Sequence, residues 1–332
     1  MAQETKAGKV VFMGTPAFAA DILASLLGWP EFSVQAVFTR PDREAGRGRR
    51  LMPSPVKVLA LEKGLSVHQP SSMKTEEALQ LVQSYEPDFL VVAAYGMILP
   101  QAVLDAARLA PVNVHTSLLP AYRGAAPVQR AIMDGCETIG VSIMRMTAGL
   151  DCGPFYAQKE VPVGRGTTGS LFGELAAVSA PLLRGVLRDI AEGRAVEHEQ
   201  DGSLATYAAK VTKAESHVDF SKPVKSVDAL IRGLTPDPAA HALFRIGEAE
   251  PVSVIIEEAV PEAGGETYPA GSIVATRKKL FVACPDGLLR VVRIRPGGKK
   301  SMDAASYING LRLSLSGPTV IGEALPPQGA AG

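Results

Sequence analysis

An asparagine and a histidine two positions apart, Asn113 and His115, stand in the short extended stretch 112–120, VNVHTSLLP. On extended backbone, residues i and i+2 share a face, so the amide and the imidazole project together. Thirty-six residues after His115, Asp151 sits in the glycine-flanked run 149–154, GLDCGP. Glycines there would let a carboxylate approach a ligand closely. An Asn, a His and an Asp converging at strand ends suit carbonyl chemistry. The amide and a protonated imidazole donate to a developing oxyanion, while the carboxylate supports the imidazolium and helps move protons. The same residues also fit a structural histidine and a turn-forming aspartate. Spacing alone keeps both readings open.

The elements that must position these groups are readable in the first two hundred residues. Residues 9–14, 33–38, 88–94 and 140–144 are near-continuous apolar runs, as buried parallel strands tend to be. Helical apolar spacing fills 17–27, 55–63 and 75–85, and a long apolar-faced helix covers 171–190, broken or kinked near Pro181. Strand–helix alternation predicts a doubly wound α/β layer, in which ligands sit at the carboxyl ends of the strands. The style changes after Gly193. A polar stretch, AVEHEQDG, reads as a linker. Short strands follow at 253–256, 271–275, 279–283 and 288–294, with Pro285-Asp286-Gly287 as a hairpin turn. The predicted division is a catalytic domain over 1–194, a linker over 195–208, a small β-barrel over 209–317 and a flexible Pro/Gly/Ala-rich tail over 318–332.

Composition bounds what such a chain can do. Its 332 residues, 46% hydrophobic and 20% charged, are enough for two buried cores. Three scattered cysteines form neither a disulfide framework nor a C-x-x-C metal pair. The first residues carry no apolar signal core, and the apolar stretch 89–100 is short of a bilayer span, so a reducing cytoplasm is expected. Lys and Arg balance Asp and Glu at 34 each, which argues against coating nucleic acid through a whole-molecule field. The average hides a pattern. Residues 40–57 hold Arg40, Arg43, Arg47, Arg49, Arg50 and Lys57 against Asp42 and Glu44. Residues 268–317 hold nine basic side chains against Asp286 and Asp303, whereas 248–266 is purely acidic. Each basic region fits a phosphate-tracking face or an ordinary solvated surface.

The motif set resembles the formyltransferases that use 10-formyltetrahydrofolate. Asn113-x-His115, then Ser117-Leu118-Leu119-Pro120, then Leu150-Asp151-x-Gly153 match that family's signature at its separation. The run 122–132, YRGAAPVQRAI, is similar to the branch that formylates methionyl initiator tRNA. The likeness runs from Val10 to about Leu313. It implies an N-terminal Rossmann-like formyltransferase domain followed by an OB-like β-barrel, with Asn113, His115 and Asp151 as the catalytic set. The folate cleft would then be formed by Tyr95, Gly96 and Met97 together with Ser117, Leu118, Leu119 and Pro120, an apolar lining suiting such a ligand. The basic loop resembles the insert with which this family grips a tRNA acceptor end. That implies RNA contacts by Arg43, Arg47, Arg49 and Arg50, guanidinium supplying planar multi-donor contacts, with Lys299 and Lys300 adding contacts from the barrel. The partners implied are initiator methionyl-tRNA and the folate co-substrate, with no metal, no membrane and the chain working as a monomer. A small amine acceptor, such as an amino sugar nucleotide, is the second reading. Two positions depart from the family's habit: Thr147, where Asp is frequent, and Thr235–Pro238, where a Trp-bearing turn is usual.

Overall fold

The computed structural model describes residues 8–45, 50–262 and 267–327, with the side chains of Glu44, Ala45 and Arg50 outside that description. The described residues fall into two compact units. One comprises residues up to Pro127 with Thr138–Pro162 and Phe172–Ala208. The other comprises Val128–Glu137, Val163–Leu171 and the residues from Ala209 onward.

In the first unit the main sheet is built from β1 (Gly8–Gly14), β2 (Phe32–Phe38), β3 (Val67–His68), β4 (Phe89–Ala93), β5 (Ala110–His115), β6 (Thr138–Arg145) and β7 (Phe155–Pro162). They form one sheet in the order β7-β6-β5-β4-β1-β2-β3. From β3 to β5 every pairing is parallel, while β6 runs antiparallel to both β5 and β7. The expectation that 140–144 is a parallel-type strand is therefore corrected. A strand covered on both faces loses its polar alternation whichever way it runs. The helices α1 (Ala17–Leu27), α2 (Pro55–Glu62) and α3 (Glu76–Gln83) alternate with the early strands. Ser54 caps α2 by accepting from Lys57 N at 3.0 Å, with Pro55 at the first turn, and Thr75 caps α3 from Ala78 N. Val82 and Ala78 of α3 bury with Val11, Met13, Phe38, Leu90 and Val92 in one core cluster. Helix α4 (Thr168–Ala191) is a single helix that contains Pro181. It is long and apolar enough to cross a membrane by composition, yet Leu175, Ser179, Leu183 and Leu187 bury at the spacing of a core-facing stripe.

Chain direction sets where a ligand can sit. The chain leaves β1 toward β2 and β3, then crosses to β4 on the other side of β1. The strand order thus reverses between β1 and β4, and the crevice lies beyond their carboxyl ends. Thr15, just past β1, donates from Oγ1 to Tyr95 O at 2.8 Å, just past β4.

The second unit holds β8 (Ala240–Ile246), β9 (Val252–Glu262), β10 (Ser272–Ala275), β11 (Leu280–Cys284), β12 (Gly287–Pro296), the short β13 (Met302–Asp303) and β14 (Thr319–Leu325). Six of them close an antiparallel ring, β8-β9-β12-β11-β10-β14 and back to β8. Helix α5 (Val224–Leu234) contributes Val227, Ile231 and Leu234 to the barrel core. The hairpin turn at 285–287 is present, with Cys284 opposite Gly287, and Asp286 also accepts from Val224 N at 2.7 Å to cap α5. One expectation fails. Residues 318–332 do not begin as a tail, because Thr319–Leu325 is the strand between β8 and β10. The β-branched run Thr319-Val320-Ile321 supplies the strand, and the prolines on either side bound it rather than break it. Gly322 is required there, since a Cβ would collide with Arg245 O of β8.

Candidate active site

Asn113 and His115 end β5 on one face and are 8% and 6% exposed, while Val112 and Val114 turn to the other. Among the described residues the Asn113 side chain makes no hydrogen bond, and it is not fully sealed from solvent, so its two N–H donors are free for something else. His115 Nε2 lies 3.1 Å from Tyr122 O. A carbonyl only accepts, so Nε2 carries the proton of that bond. His115 Nδ1 lies 3.9 Å from Asp151 Oδ2, close enough for charge but long for a hydrogen bond. The same Asp151 oxygen accepts from Gly124 N at 2.8 Å.

The loops that bring these groups together carry unusual backbone. Asp151 has φ +48° and Tyr122 φ +57°, left-handed conformations that L-residues rarely adopt. Gly124 has φ +116°, and a Cβ there would sit 2.9 Å from Ala208 O. The close approach comes from a short parallel pairing of Arg123–Gly124 with Tyr207–Ala208. At the far side of the Asp151 loop, a Cβ on Gly153 would strike Arg145 O, the last residue of β6. Backbone held in such conformations clusters at functional sites. The departure at Thr147 lies here too, its hydroxyl 3.7 Å from Cys152 Sγ.

The Ser117–Pro120 segment is fixed by two side chains that no sequence motif marks. Ser142 Oγ, fully buried in β6, donates to Ser117 O at 2.6 Å and accepts from Leu119 N at 3.0 Å. Gln158 Nε2 in β7 donates both to Ser142 Oγ and to Leu119 O, each at 2.8 Å. The available signal was a hydroxyl inside GVSIM, because a buried polar group demands partners. Ser117 Oγ is spent on Ala121 O at 2.6 Å, which makes its hydroxyl a turn-former. Tyr95 is 2% exposed among Val92, Leu99, Met97 and Met146, and among the described residues its hydroxyl has no partner. Burial pushes that phenol well above its ordinary range. Gly96, at φ +76°, lets Arg40 lie close, a Cβ coming 3.3 Å from its Nη1. Asn113 pairs in register with Val92, so Tyr95–Met97 and Asn113–His115 leave neighbouring strands at the same edge.

The basic residues divide differently from expectation. Arg43 is exposed on a two-stranded ribbon, Arg43–Ala45 with Arg50–Met52, beside exposed Leu51 and Met52. Arg47, Arg49 and the Arg50 side chain lie outside the described residues. Lys57 is not a free cation. Its Nζ donates to Asp42 Oδ2 and to Gln69 Oε1, each at 2.7 Å, and Lys57 holds the Asp42 carboxyl below its usual range. Lys299 and Lys300 are exposed in the turn after β12. The barrel's acidic and basic segments are not separate faces. Because β9 pairs with β12, Glu257 meets Arg295 at 3.0 Å and Glu262 meets Arg290 at 2.5 Å, with Lys279 at 3.9 Å. Three of the nine basic side chains of 268–317 are thereby matched by two carboxylates of the acidic segment.

A Rossmann-like sheet with this strand-end site, and a separate closed barrel, define a formyl transferase, and the chain belongs to that family. Residues 8–174 match the formyl transferase model and residues 210–312 the formyl transferase C-terminal domain. The relatives resolve the branch. Methionyl-tRNA formyltransferase of Desulfovibrio desulfuricans is 45% identical over 99% of both chains. The protein of that name from Nitratidesulfovibrio vulgaris (strain Hildenborough) is 44% identical over 90% of this chain and 92% of its own. Among solved structures, HypX from Aquifex aeolicus with tetrahydrofolic acid shares the fold at TM-score 0.63 and 16% identity, over 93% of this chain and 48% of HypX. The N-formyltransferase from Helicobacter canadensis, with folinic acid and dTDP-3-aminofucose, does so at TM-score 0.60 and 14% identity, over 86% and 98%.

Proposed function

We propose that this chain transfers the formyl group of 10-formyltetrahydrofolate to the α-amine of methionyl initiator tRNA. The observation that carries the chemistry is the Asn113 amide, 8% exposed and without a hydrogen-bond partner among the described residues, beside the His115–Asp151 pair. The neutral amine attacks the formyl carbon, a new N–C bond forms, and the bond from that carbon to the folate nitrogen breaks. Asn113 donates to the oxygen where negative charge develops. His115 takes the proton lost by the amine and returns it to the departing nitrogen. Its Nε2 is committed to Tyr122 O, so His115 acts on the oxyanion chiefly through its charge, and Asp151 supports that charge. A gap of 3.9 Å is compatible with this role, because catalytic hydrogen bonds are often long before substrate binds and tighten afterwards.

In this reading the strand ends at Tyr95–Met97 and Ser117–Pro120 form the folate cleft, and the first unit performs the transfer. Arg43, Arg47, Arg49 and Arg50, with Lys299 and Lys300, contact RNA. Near-full-length identity to methionyl-tRNA formyltransferases favours tRNA over a small amine acceptor. Such a substrate fits a cytoplasmic enzyme, and the proposal takes it to act there as a monomer. The test offers labelled formyl donor with Met-tRNA or with free small amines, an amino sugar nucleotide included. Formylated Met-tRNA is the expected product. His115→Ala is expected to abolish turnover while leaving tRNA affinity nearly intact, and wild-type kcat in that variant would refute the assignment.

A further inference from the structure

We infer that Gln200 is the positioning residue that holds the catalytic aspartate loop, an inference that rests on the role proposed for Asp151. Gln200 lies in the polar stretch that follows α4. That stretch is anchored two residues earlier, where His198 exchanges both backbone hydrogen bonds with Phe155 at the start of β7, at 2.8 and 3.0 Å. The rings of the two residues also stack, with centroids 5.4 Å apart. From this anchor the Gln200 amide reaches two partners of opposite kind. Its Nε2 donates to Asp151 O at 2.9 Å and to Gly153 O at 2.6 Å, the carbonyls either side of Cys152. Its Oε1 accepts from Arg123 Nε at 3.0 Å and Nη2 at 2.7 Å.

Only one orientation of the amide satisfies all four contacts, because guanidinium only donates and carbonyls only accept. Arg123 is 7% exposed, so its guanidinium holds the Gln200 oxygen from a buried position. The residue next to Arg123 completes a closed circuit. Gly124 N–H holds the Asp151 carboxylate, while Arg123, through Gln200, holds the Asp151 carbonyl. An aspartate at φ +48° needs such restraint, since that backbone is disfavoured for it. Gripped at both its main chain and its side chain, Asp151 is set at its distance from His115. Gln200 touches neither imidazole nor carboxylate, so it acts through the loop.

Two substitutions separate positioning from bulk support. Gln200→Met keeps length and packing but removes every polar contact. Gln200→Glu keeps the acceptor for Arg123, with charge added, and removes both donors to the loop carbonyls. Each is compared with wild type for kcat, for KM of both substrates and for melting temperature. The rate of Cys152 alkylation by iodoacetamide, read on the peptide by mass spectrometry without substrates, reports the loop directly, because that thiol is exposed. Both variants are expected to lose kcat by about 10- to 100-fold, the scale of a misplacement near 1 Å, with KM for Met-tRNA nearly unchanged and Cys152 alkylated several-fold faster. In an Asp151→Asn background, Gln200→Met should add less than about a twofold loss, since residues acting as one unit are non-additive. Wild-type kcat in Gln200→Glu, unchanged alkylation, or losses that multiply with Asp151→Asn would overturn the inference. Wild-type protein inactive on Met-tRNA would instead overturn the proposed function, and the alkylation rates would still decide whether Gln200 holds the loop.

Discussion

Ser142 shows how much of this site depends on single atoms that never meet a substrate. Its hydroxyl gives one hydrogen bond and takes two, and all three fix the segment carrying Ser117 and Leu119. Ser142→Ala would leave Leu119 N–H without its partner in a dry interior and strip Gln158 of one of its two acceptors. An orphaned buried group typically costs roughly 1–3 kcal/mol. The expected outcome is a destabilisation of that order in denaturant titration, with a raised KM for the formyl donor and little change in KM for tRNA. A stable variant with wild-type KM would place the segment's order elsewhere. The grouping of His115 with Asp151 was legible in the sequence because Asn113, His115 and Asp151, the trio proposed for catalysis, stand in short runs whose types and order match one family. Ser142 and Gln158 were not, because their partners lie across strands, 16 to 39 residues away in the chain.

Helices and strands were easier to find than their directions and partners. The runs around 9–14, 33–38 and 88–94 are strands, as their apolar character implies, but nothing in GVSIM distinguishes an antiparallel neighbour from a parallel one. Likewise, a window dominated by Pro, Gly and Ala concealed β14, whose hydrogen bonds come from residues some eighty and fifty positions earlier. Element-scale anchoring also brings a pH dependence. The Pro127–Met133 helix of the sequence carries Arg130, which grips Glu215 through both guanidinium ends, at 2.5 and 3.2 Å. That grip, with Thr212 N–H adding to it, lowers the Glu215 carboxyl to about 2. A depressed carboxylate contributes stability above its unfolded pKa and loses it as pH falls through the folded value. The window therefore runs from about pH 4.5 down to about 2. With a third of the side chain in solvent, screening reduces the contribution to on the order of 1 kcal/mol. Glu215→Gln is expected to be less stable at pH 7 and to show a flatter acid limb in thermal melts. An unchanged acid limb would show the pair to be inconsequential.

For the whole molecule, balanced charge describes two different situations. In the barrel, Glu262 and Glu257 of one strand hold Arg290 and Arg295 of its neighbour, and Lys57 is likewise matched by Asp42. Lys299 and Lys300 make no ion pair among the described residues, which leaves them available to an RNA backbone. If they meet phosphates, replacing both with alanine should flatten the log–log salt dependence of tRNA affinity by about one unit for each phosphate no longer neutralised. Replacing Arg290 and Arg295 should leave that slope alone and cost barrel stability instead. Equal slopes in all variants would remove the barrel turn from the RNA interface.

The place of β14 in the ring has a consequence in time. A ribosome delivers β8 through β12 first, yet β8 and β10 each lack one neighbour until Thr319–Leu325 emerges. During synthesis both strands present open edges, the kind that recruit stray strands from other chains. The barrel is thus completed by its last-made strand, and a stop codon just before Thr319 would release a protein that keeps Asn113, His115 and Asp151 but whose barrel has a gap two edges wide.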